Sequence, residues 1–440
     1  MIKIAYEAYI TSLKNVQKHS NADRLQKAEC FGNQVIVDLS YKEGDLGIYF
    51  PVDGKIGLEF AEANNLLRKK DKAGNNVGGF LDPDKRNVKA IRLRGEESNG
   101  LFLKLDSLAS FTDISKLKEH DTITVLNGIV ICEKYIPRTN QRQGQRAGNP
   151  KAKGDVKFKY PYFEEHIDTK QLMYNLGQFK PGDLCTLTLK MHGTSARTSY
   201  TIKEEERRKN IIEKLFRKPP KVLKKWDKVS GSRRVTLNFE APKPDGWYSD
   251  SDFRKKWHDE IAPRLHKGEE IFYEIVGWAN SDTTIMPSCN NKKLNDKDFV
   301  KKYGPTTEFS YGCNVGECDI YVYRMTKTDE DGYVVEYPDW YMRTRCEQMG
   351  LKCVPKFEEF FYTTEEDLLQ RVDALIDGED PVGKTHIREG VVVRIQNRPK
   401  FTAFKKKNFN FLVLEGIIKE EAQAPDMEEA EENLQERGNA

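Results

Sequence analysis

The chain has 440 residues, 32% of them charged, yet 72 Lys and Arg against 69 Asp and Glu leave a net charge of only +3. That length suits two or three domains with a sizeable core, and so small a net charge means that any surface for a polyanion must come from local segregation of charge. No run approaches the ~18 apolar residues of a membrane span, and Met1–Ile10 lacks the apolar stretch of a leader. The expectation is a cytoplasmic or nuclear monomer with no membrane partner. Eight cysteines at irregular intervals indicate reduced thiols. Cys313, Cys318, Cys346 and Cys353 fit no common zinc spacing and read as packing residues.

Residues 1–133 read as all-β. Short β-rich runs at Ile2–Tyr9, Gln34–Leu39, Leu46–Phe50, Val88–Arg94, Leu101–Leu105 and Thr122–Ile131 are separated by turn chemistry, which suits an OB-type barrel. Between them, His19–Leu25 (HSNADRL) resembles the opening of OB-like domains attached to some tRNA-binding proteins. Arg92 and Arg94, two apart on an expected strand, would share a face able to track a phosphate backbone; the competing reading is an edge strand protected by charge. Residues 134–159 form a polar, basic linker with no hydrophobic period.

From Tyr160 the pattern is mixed α and β, with short helices expected over Asp168–Leu176, Phe253–His266 and Asp367–Ile376. Leu184–Met191 alternates apolar and polar residues like a half-buried strand, which puts Lys190 on the polar face just before the small residues His192-Gly193-Thr194-Ser195. Residues 204–228 read as a charged surface insertion, helical and broken at Pro219-Pro220, after which Ser232-Arg233-Arg234-Val235 opens a strand. Glu270–Trp278 is an apolar strand carrying Glu274, whose burial demands a partner. Further strands follow at Asp319–Met325, with Tyr323, and at Arg388–Ile395, where Glu389 suits a divalent metal. On Phe401–Phe409, Lys405 and Lys407 fall on one face, about 7 Å apart by strand rise. Gly378–Thr385 satisfies the spacing of a phosphate-binding P-loop, but it lies in the order helix, loop, strand, the reverse of what that loop requires. Residues 419–440 are an acidic tail.

The motif Lys190-Met191-His192-Gly193-Thr194-Ser195 resembles the nucleotidyl-acceptor motif of the covalent nucleotidyltransferases, the superfamily of RNA ligases, DNA ligases and capping enzymes. The later signals fall in that superfamily's order: Ser232-Arg233, Glu274, Tyr323, Glu389, then Lys405 with Lys407. KMHGTSAR, IYVYRM, REGVVVR and FKKKN, with NADRL, IYFPVDGKI and IRLRGEESNGLFL ahead of them, are similar to the ATP-dependent RNA ligases that carry an OB domain before the ligase domain. The resemblance implies an α+β architecture: an N-terminal OB-type barrel, then a nucleotidyltransferase domain of antiparallel sheets over 160–418. It further implies that Lys190 takes AMP from ATP, with Mg or Mn as divalent metal, and passes it to RNA with 5′-phosphate and 3′-OH ends. Tyr323 would stack on adenine, Glu274 would bind the ribose, and His192 and Gly193 would line the nucleotide. Arg233 and Arg234 would contact ribose or RNA, Glu389 would hold the metal, and Lys405 and Lys407 would meet the triphosphate.

Two positions depart from the pattern: Leu189 stands where relatives often have Glu, and Tyr273 where they often have Gly. A GTP-dependent capping enzyme shares the lysine chemistry but carries its OB domain after the transferase domain, and too few residues remain here for one. A nucleic-acid-binding protein with a decayed ligase domain would not need all six motif residues.

Overall fold

The computed structural model describes residues 6–70, 74, 76–136, 158–206, 221–233, 235–237, 239 and 252–420. Arg234, most of the expected linker and the acidic tail beyond Glu420 lie outside the described residues. Two compact units are formed: Met1–Arg138 together with Phe409–Glu420, and a second that includes Thr139–Asn408. No helix among the described residues is long and apolar enough to cross a membrane.

In the first unit, Ala8–Ser12 pairs antiparallel with Leu46–Phe50 and Thr122–Ile123, and Leu101–Lys104 closes the other side of Leu46–Phe50. A meander of Lys14–Lys18, Leu25–Cys30 and Asn33–Asp38 lies in a second sheet. Its first two strands escaped the sequence reading because Lys14–Lys18 is polar and largely solvated and Leu25–Cys30 buries only Ala28 and Cys30 fully, so neither shows a clean hydrophobic alternation. Ile10, Ile48, Phe50, Ile56, Phe60 and Leu108 fill the core. The expected strand Thr122–Ile131 is broken into short pieces: Asn127 and Gly128 take φ 48° and 84° and turn Val125–Leu126 back onto Ile129–Val130. Asn-Gly is the pair that such a two-residue hairpin favours.

The shared face expected for Arg92 and Arg94 does not form. The strand is Ala90–Leu93, and Arg94 sits beyond it at φ 49°, where the alternation ends. Arg92 is held within its own unit, by Glu97 at 3.1 Å, by Asn410 at 2.8 Å and over the ring of Phe409 at 5.3 Å. The helix Phe409–Glu420, expected within the ligase domain, thus belongs with this unit; Lys419 fixes its other end to Asp53 at 2.7 Å.

The second unit is built on two antiparallel sheets. In one, Thr194–Glu206 lies between Glu269–Gly277 and Val222–Gly231, and Cys318–Thr328 extends the sheet beyond Glu269–Gly277. Its core side is covered by Phe253–Ile261 and Asp339–Gln348, with Trp257, Ile261, Met342 and Cys346 packed on Ile271, Tyr273 and Val322. In the other, Leu184–Lys190 is flanked by Lys356–Phe361 and Gly390–Ile395, and Thr402–Lys407 follows. Leu187, Val391 and Val393 meet the helix Glu365–Ile376 through Leu368 and Val372.

Several local expectations are corrected. The flanks of the 204–228 insertion are strands: Glu204 and Glu205 cross to Lys224 and Lys225 at 3.5 and 2.9 Å, so opposite charges face each other along a hairpin. Residues 207–220, with Pro219-Pro220, lie outside the described residues. Asp168–Leu176 holds only a two-residue strand and a short 3-10 turn, and the helix expected to reach His266 stops at Ile261, where Pro263 follows. Ser232 and Arg233 form a bend after Gly231, not the start of a strand; Ser232 N–H donates back to Val235 O at 2.9 Å.

At Gly378–Thr385 the phosphate-cradling groups are already used. The carboxylate of Asp380 accepts from the N–H groups of Val382, Gly383 and Lys384 at 3.0, 2.7 and 2.9 Å. Asp380→Ala would leave the N–H groups of Val382 and Gly383 without their acceptor, Lys384 N–H keeping Asp380 O at 3.1 Å, and the expected cost is roughly 2–4 kcal/mol, read from the urea midpoint of the variant.

Candidate active site

Register across three strands assembles the centre. Lys190 pairs with Gly390 and Gly390 with Lys407, while Thr188, Val392 and Lys405 form the row two residues on. Glu389 immediately precedes this row and is 1% exposed. Its Oε1 lies 2.8 Å from Lys190 Nζ and 3.1 Å from Lys407 Nζ, and its Oε2 lies 4.0 Å from His192 Nδ1. A carboxylate so buried costs several kcal/mol unless matched by charge; two ammonium groups supply the match. The strand Leu184–Lys190 is more enclosed than its alternation suggested, since its polar face also packs: Thr186 is buried and accepts from Gln396 Nε2 at 2.7 Å. The Lys190 side chain, 21% exposed, is the part that reaches open space.

The chain then turns from one sheet to the other. Gly193 N–H and Ser195 O–H donate to the two oxygens of Glu274, each at 3.1 Å. Any Cβ at Gly193 would come within 2.3 Å of Ile275 O, so only glycine passes so close to that strand. Glu274 is therefore partnered by the turn that follows Lys190. Tyr273 points to the other face: its hydroxyl meets Thr198 Oγ1 at 3.0 Å and its ring is in the core. Its bulk is therefore taken up by the core, away from Glu274.

A register slip between Phe272 and Tyr273 breaks the alternation of the facing strand. Ile320, Val322 and Met325 lie in the core, so Tyr323 and Arg324 both face the other side. Tyr323 O–H donates to His166 Nδ1 at 3.1 Å, and His166 Nε2 lies 3.6 Å from Asp168, which also has Arg233 Nε at 3.7 Å. Burial above all, then Arg233, pushes the His166 imidazole down to about 3, so the ring is neutral and accepts at Nδ1. The charge of Lys405 adds to this depression. Beneath, Arg324 is clasped by Glu336 and by Glu164 at 2.9 Å, while Arg197 stacks on Phe163 at 3.8 Å and lies 3.8 Å from Glu270. Burial raises the Glu270 carboxyl against the pull of Arg197.

Lys190, His192, Gly193, Glu274, Glu389 and Lys407 are thus linked by direct contact or close approach, and Tyr323, Arg233 and Lys405 gather around His166. Arg92 and Arg94 belong to the other unit, and Arg234 lies outside the described residues. The sequence reading missed Ser195 as a partner of Glu274, although it lies within the quoted motif. It also missed His166, and Tyr311, whose phenolic oxygen accepts from His192 N–H at 2.7 Å; no motif marks either.

A lysine at the end of an internal strand, a strand glutamate bonded to the turn that follows it, and two further lysines on the next strand but one are the arrangement of a covalent nucleotidyltransferase fold. Residues 184–409 match the RNA ligase family, and the chain belongs to that family. Residues 8–105 match an OB-fold domain. Among solved structures, Naegleria gruberi RNA ligase with PPi is similar at 18% identity and a TM-score of 0.58, over 93% of this chain and 98% of that one. Mutants of that ligase with ATP and Mn, and with AMP and Mn, align at 17% identity and a TM-score of 0.57 over 92% of this chain, covering 98% and 97% of theirs. No curated protein sequence matches the chain.

The depressed His166 gives a pH test. In the unfolded chain an imidazole binds a proton near pH 6.5, whereas the folded one does so only near 3. Stability attributable to this group is therefore complete above about pH 6.5 and declines as pH falls toward 3, by at most about 1.4 kcal/mol per unit. His166→Gln should flatten that acid limb by up to one proton's slope in urea unfolding at pH 4–6.5.

Proposed function

We propose that this RNA ligase is ATP-dependent and seals RNA 5′-phosphate and 3′-hydroxyl ends, at nicks or breaks in structured or duplex RNA, through a Lys190–AMP intermediate. The observation that carries the reading is the row Lys190, Glu389, Lys407, in which a reachable amine and a second cation share one buried carboxylate. Lys190 Nζ, once deprotonated, attacks the α-phosphorus of ATP, and pyrophosphate leaves. Lys405 and Lys407 neutralise the triphosphate and orient that leaving group, the positioning and charge stabilisation on which phosphoryl transfer depends. His192 and Gly193 line the phosphate side of the turn, Glu274 accepts from a ribose hydroxyl, and Tyr323 offers its ring to the adenine. Arg233 contacts the ribose or the RNA 5′-phosphate. AMP then passes to that 5′-phosphate oxygen, freeing Lys190, and the 3′-hydroxyl displaces AMP as the phosphodiester forms.

A divalent ion fits this donor set in a particular way. Among the described residues no group of three or more His, Cys, Asp or Glu is arranged to hold a metal, and Glu389 is one carboxylate between two ammonium groups. Mg²⁺ and Mn²⁺ suit oxygen donors, and Mg²⁺ commonly uses one or two carboxylates with phosphates and water. Glu389 would hold the ion that accompanies the nucleotide, and the ion would supply charge neutralisation at the phosphates.

Incubation with α-labelled ATP or GTP and a divalent metal, followed by denaturing electrophoresis, shows which nucleotide becomes attached. ATP label is expected, and GTP label would favour capping chemistry. Lys190→Ala should lose the label entirely and Lys190→Arg should be equally inert, since guanidinium stays protonated; a labelled Lys190→Ala would end the assignment. Lys405→Ala and Lys407→Ala should damage formation of Lys190–AMP more than the sealing of pre-adenylylated RNA, because their triphosphate partner is gone after the first step. Equal damage in both assays would remove that role from them.

A further inference from the structure

The turn that follows the nucleophile is gripped by a segment belonging to none of the recognised motifs. The N–H of His192 donates to the phenolic oxygen of Tyr311 at 2.7 Å, and the His192 ring meets the edge of Phe309 with centroids 4.7 Å apart. Both aromatics also rest on His386, Tyr311 at 4.5 Å and Phe309 at 5.2 Å between centroids. His386 is fully buried and fixed through Nδ1 to Ile387 O at 2.8 Å, two residues before Glu389. One aromatic cluster therefore touches the turn after Lys190 and the segment that leads into Glu389.

The backbone at Tyr311 shows that packing imposes its position. Its φ is 52°, a left-handed conformation that a bulky residue adopts only when its surroundings compel it. Gly383 packs so closely against Tyr311 and Gly312 that a Cβ there would fall 2.3 Å from their backbone atoms. The phenol is buried, and burial, reinforced by Glu389, raises it well above its usual range, so it stays a neutral hydroxyl.

We propose that Tyr311 is a positioning residue for nucleotidyl transfer: its hydroxyl holds the His192 amide so that the turn delivers Lys190 to the α-phosphorus and Gly193 to Glu274. This rests on the reading of Lys190 as the nucleophile. The His192 N–H is buried among aromatic rings, where an alternative partner would have to come from a shift of the turn. Such a shift is transmitted over two residues of backbone to Lys190, and reacting atoms displaced by an ångström lose much of their rate. The ring of Tyr311 alone, without the hydroxyl, keeps the packing on His386 and loses only the grip.

The test is Tyr311→Phe in the full chain, with three readouts: the single-turnover rate of Lys190–AMP formation, the KM for ATP in that step, and the sealing of pre-adenylylated RNA. The expected result is a fall of about 10- to 100-fold in the single-turnover rate, a KM within about twofold of the unsubstituted protein, and a much smaller loss on pre-adenylylated RNA, which needs no attack by Lys190. A rate at the unsubstituted level would overturn the proposal. So would an equal loss in both assays or a thermal midpoint that collapses, since either marks general loosening and not positioning. Failure of the unsubstituted protein to label at Lys190 would instead remove the nucleophile assignment, and this inference with it.

Discussion

The burial of Glu389 between Lys190 and Lys407 is the constraint on which the rest of the catalytic unit depends. A carboxylate 1% exposed cannot stay ionised without matched cations, and the two it has come from different strands. To place both ammonium groups on one oxygen, Leu184–Lys190, Gly390–Ile395 and Thr402–Lys407 must hold one register, because a slip of one residue would turn every side chain on a strand to the opposite face. Gly390 makes that register possible: a Cβ there would lie 2.2 Å from Lys406 O. The pairing is thus a test of correct assembly as well as a feature of the site. In the proposed reaction it also sets a starting point, since Lys190 must leave Glu389 and lose its proton before it can attack.

The second sheet solves a related problem with more charge. Arg197, Arg324 and Arg394 are all buried, and Glu336 takes both Arg324 and Arg394, the latter at 3.5 Å. Rings complete the shell: Arg324 lies over Phe272 at 4.4 Å and over Phe401 at 5.1 Å, and Arg394 over Phe401 at 5.0 Å. Removing one member of such a network strands the others in low dielectric, so the group behaves as a unit. Arg394 comes from the strand that follows Glu389 and Arg324 from the strand that carries Tyr323. Their shared glutamate ties the two sheets together beneath the site.

What could be read from the sequence divides along physical lines. Lys190, Glu274 and Glu389 were legible because each is a charged residue in or beside an apolar strand, an arrangement costly enough to need a reason. The Leu46–Phe50 strand was legible from its apolar run and turn-rich flanks, and the helix Glu365–Ile376 from its apolar spacing. The polar strands Lys14–Lys18 and Val222–Lys228 were not, since cross-strand ion pairs and solvation hold them and neither leaves a hydrophobic period. Arg94 was misplaced because strand alternation was carried one residue past a left-handed turn. His166, Tyr311 and His386 stayed hidden for a different reason: their partners lie 157, 119 and 75 or more residues away in the chain, and only tertiary packing brings them together.

The near-neutral composition acquires its meaning at the site. A net charge of +3 over 440 residues says little about polyanions, because cations can be matched by neighbouring carboxylates, as in the hairpin pairs of Lys224 and Lys225. In the row at the end of these strands the balance differs: two ammonium groups share one carboxylate, and Lys405 stands two residues before Lys407 on the same strand. At 4 Å a pair of unit charges is worth about 4 kcal/mol near a protein surface, against about 1 in bulk water, so a local excess of one or two positive charges in a half-enclosed cleft outweighs a larger excess spread over solvated surface. In the proposed reaction, attraction for the triphosphate would follow from strand register, which decides which charges are left over, and not from how many lysines the chain contains.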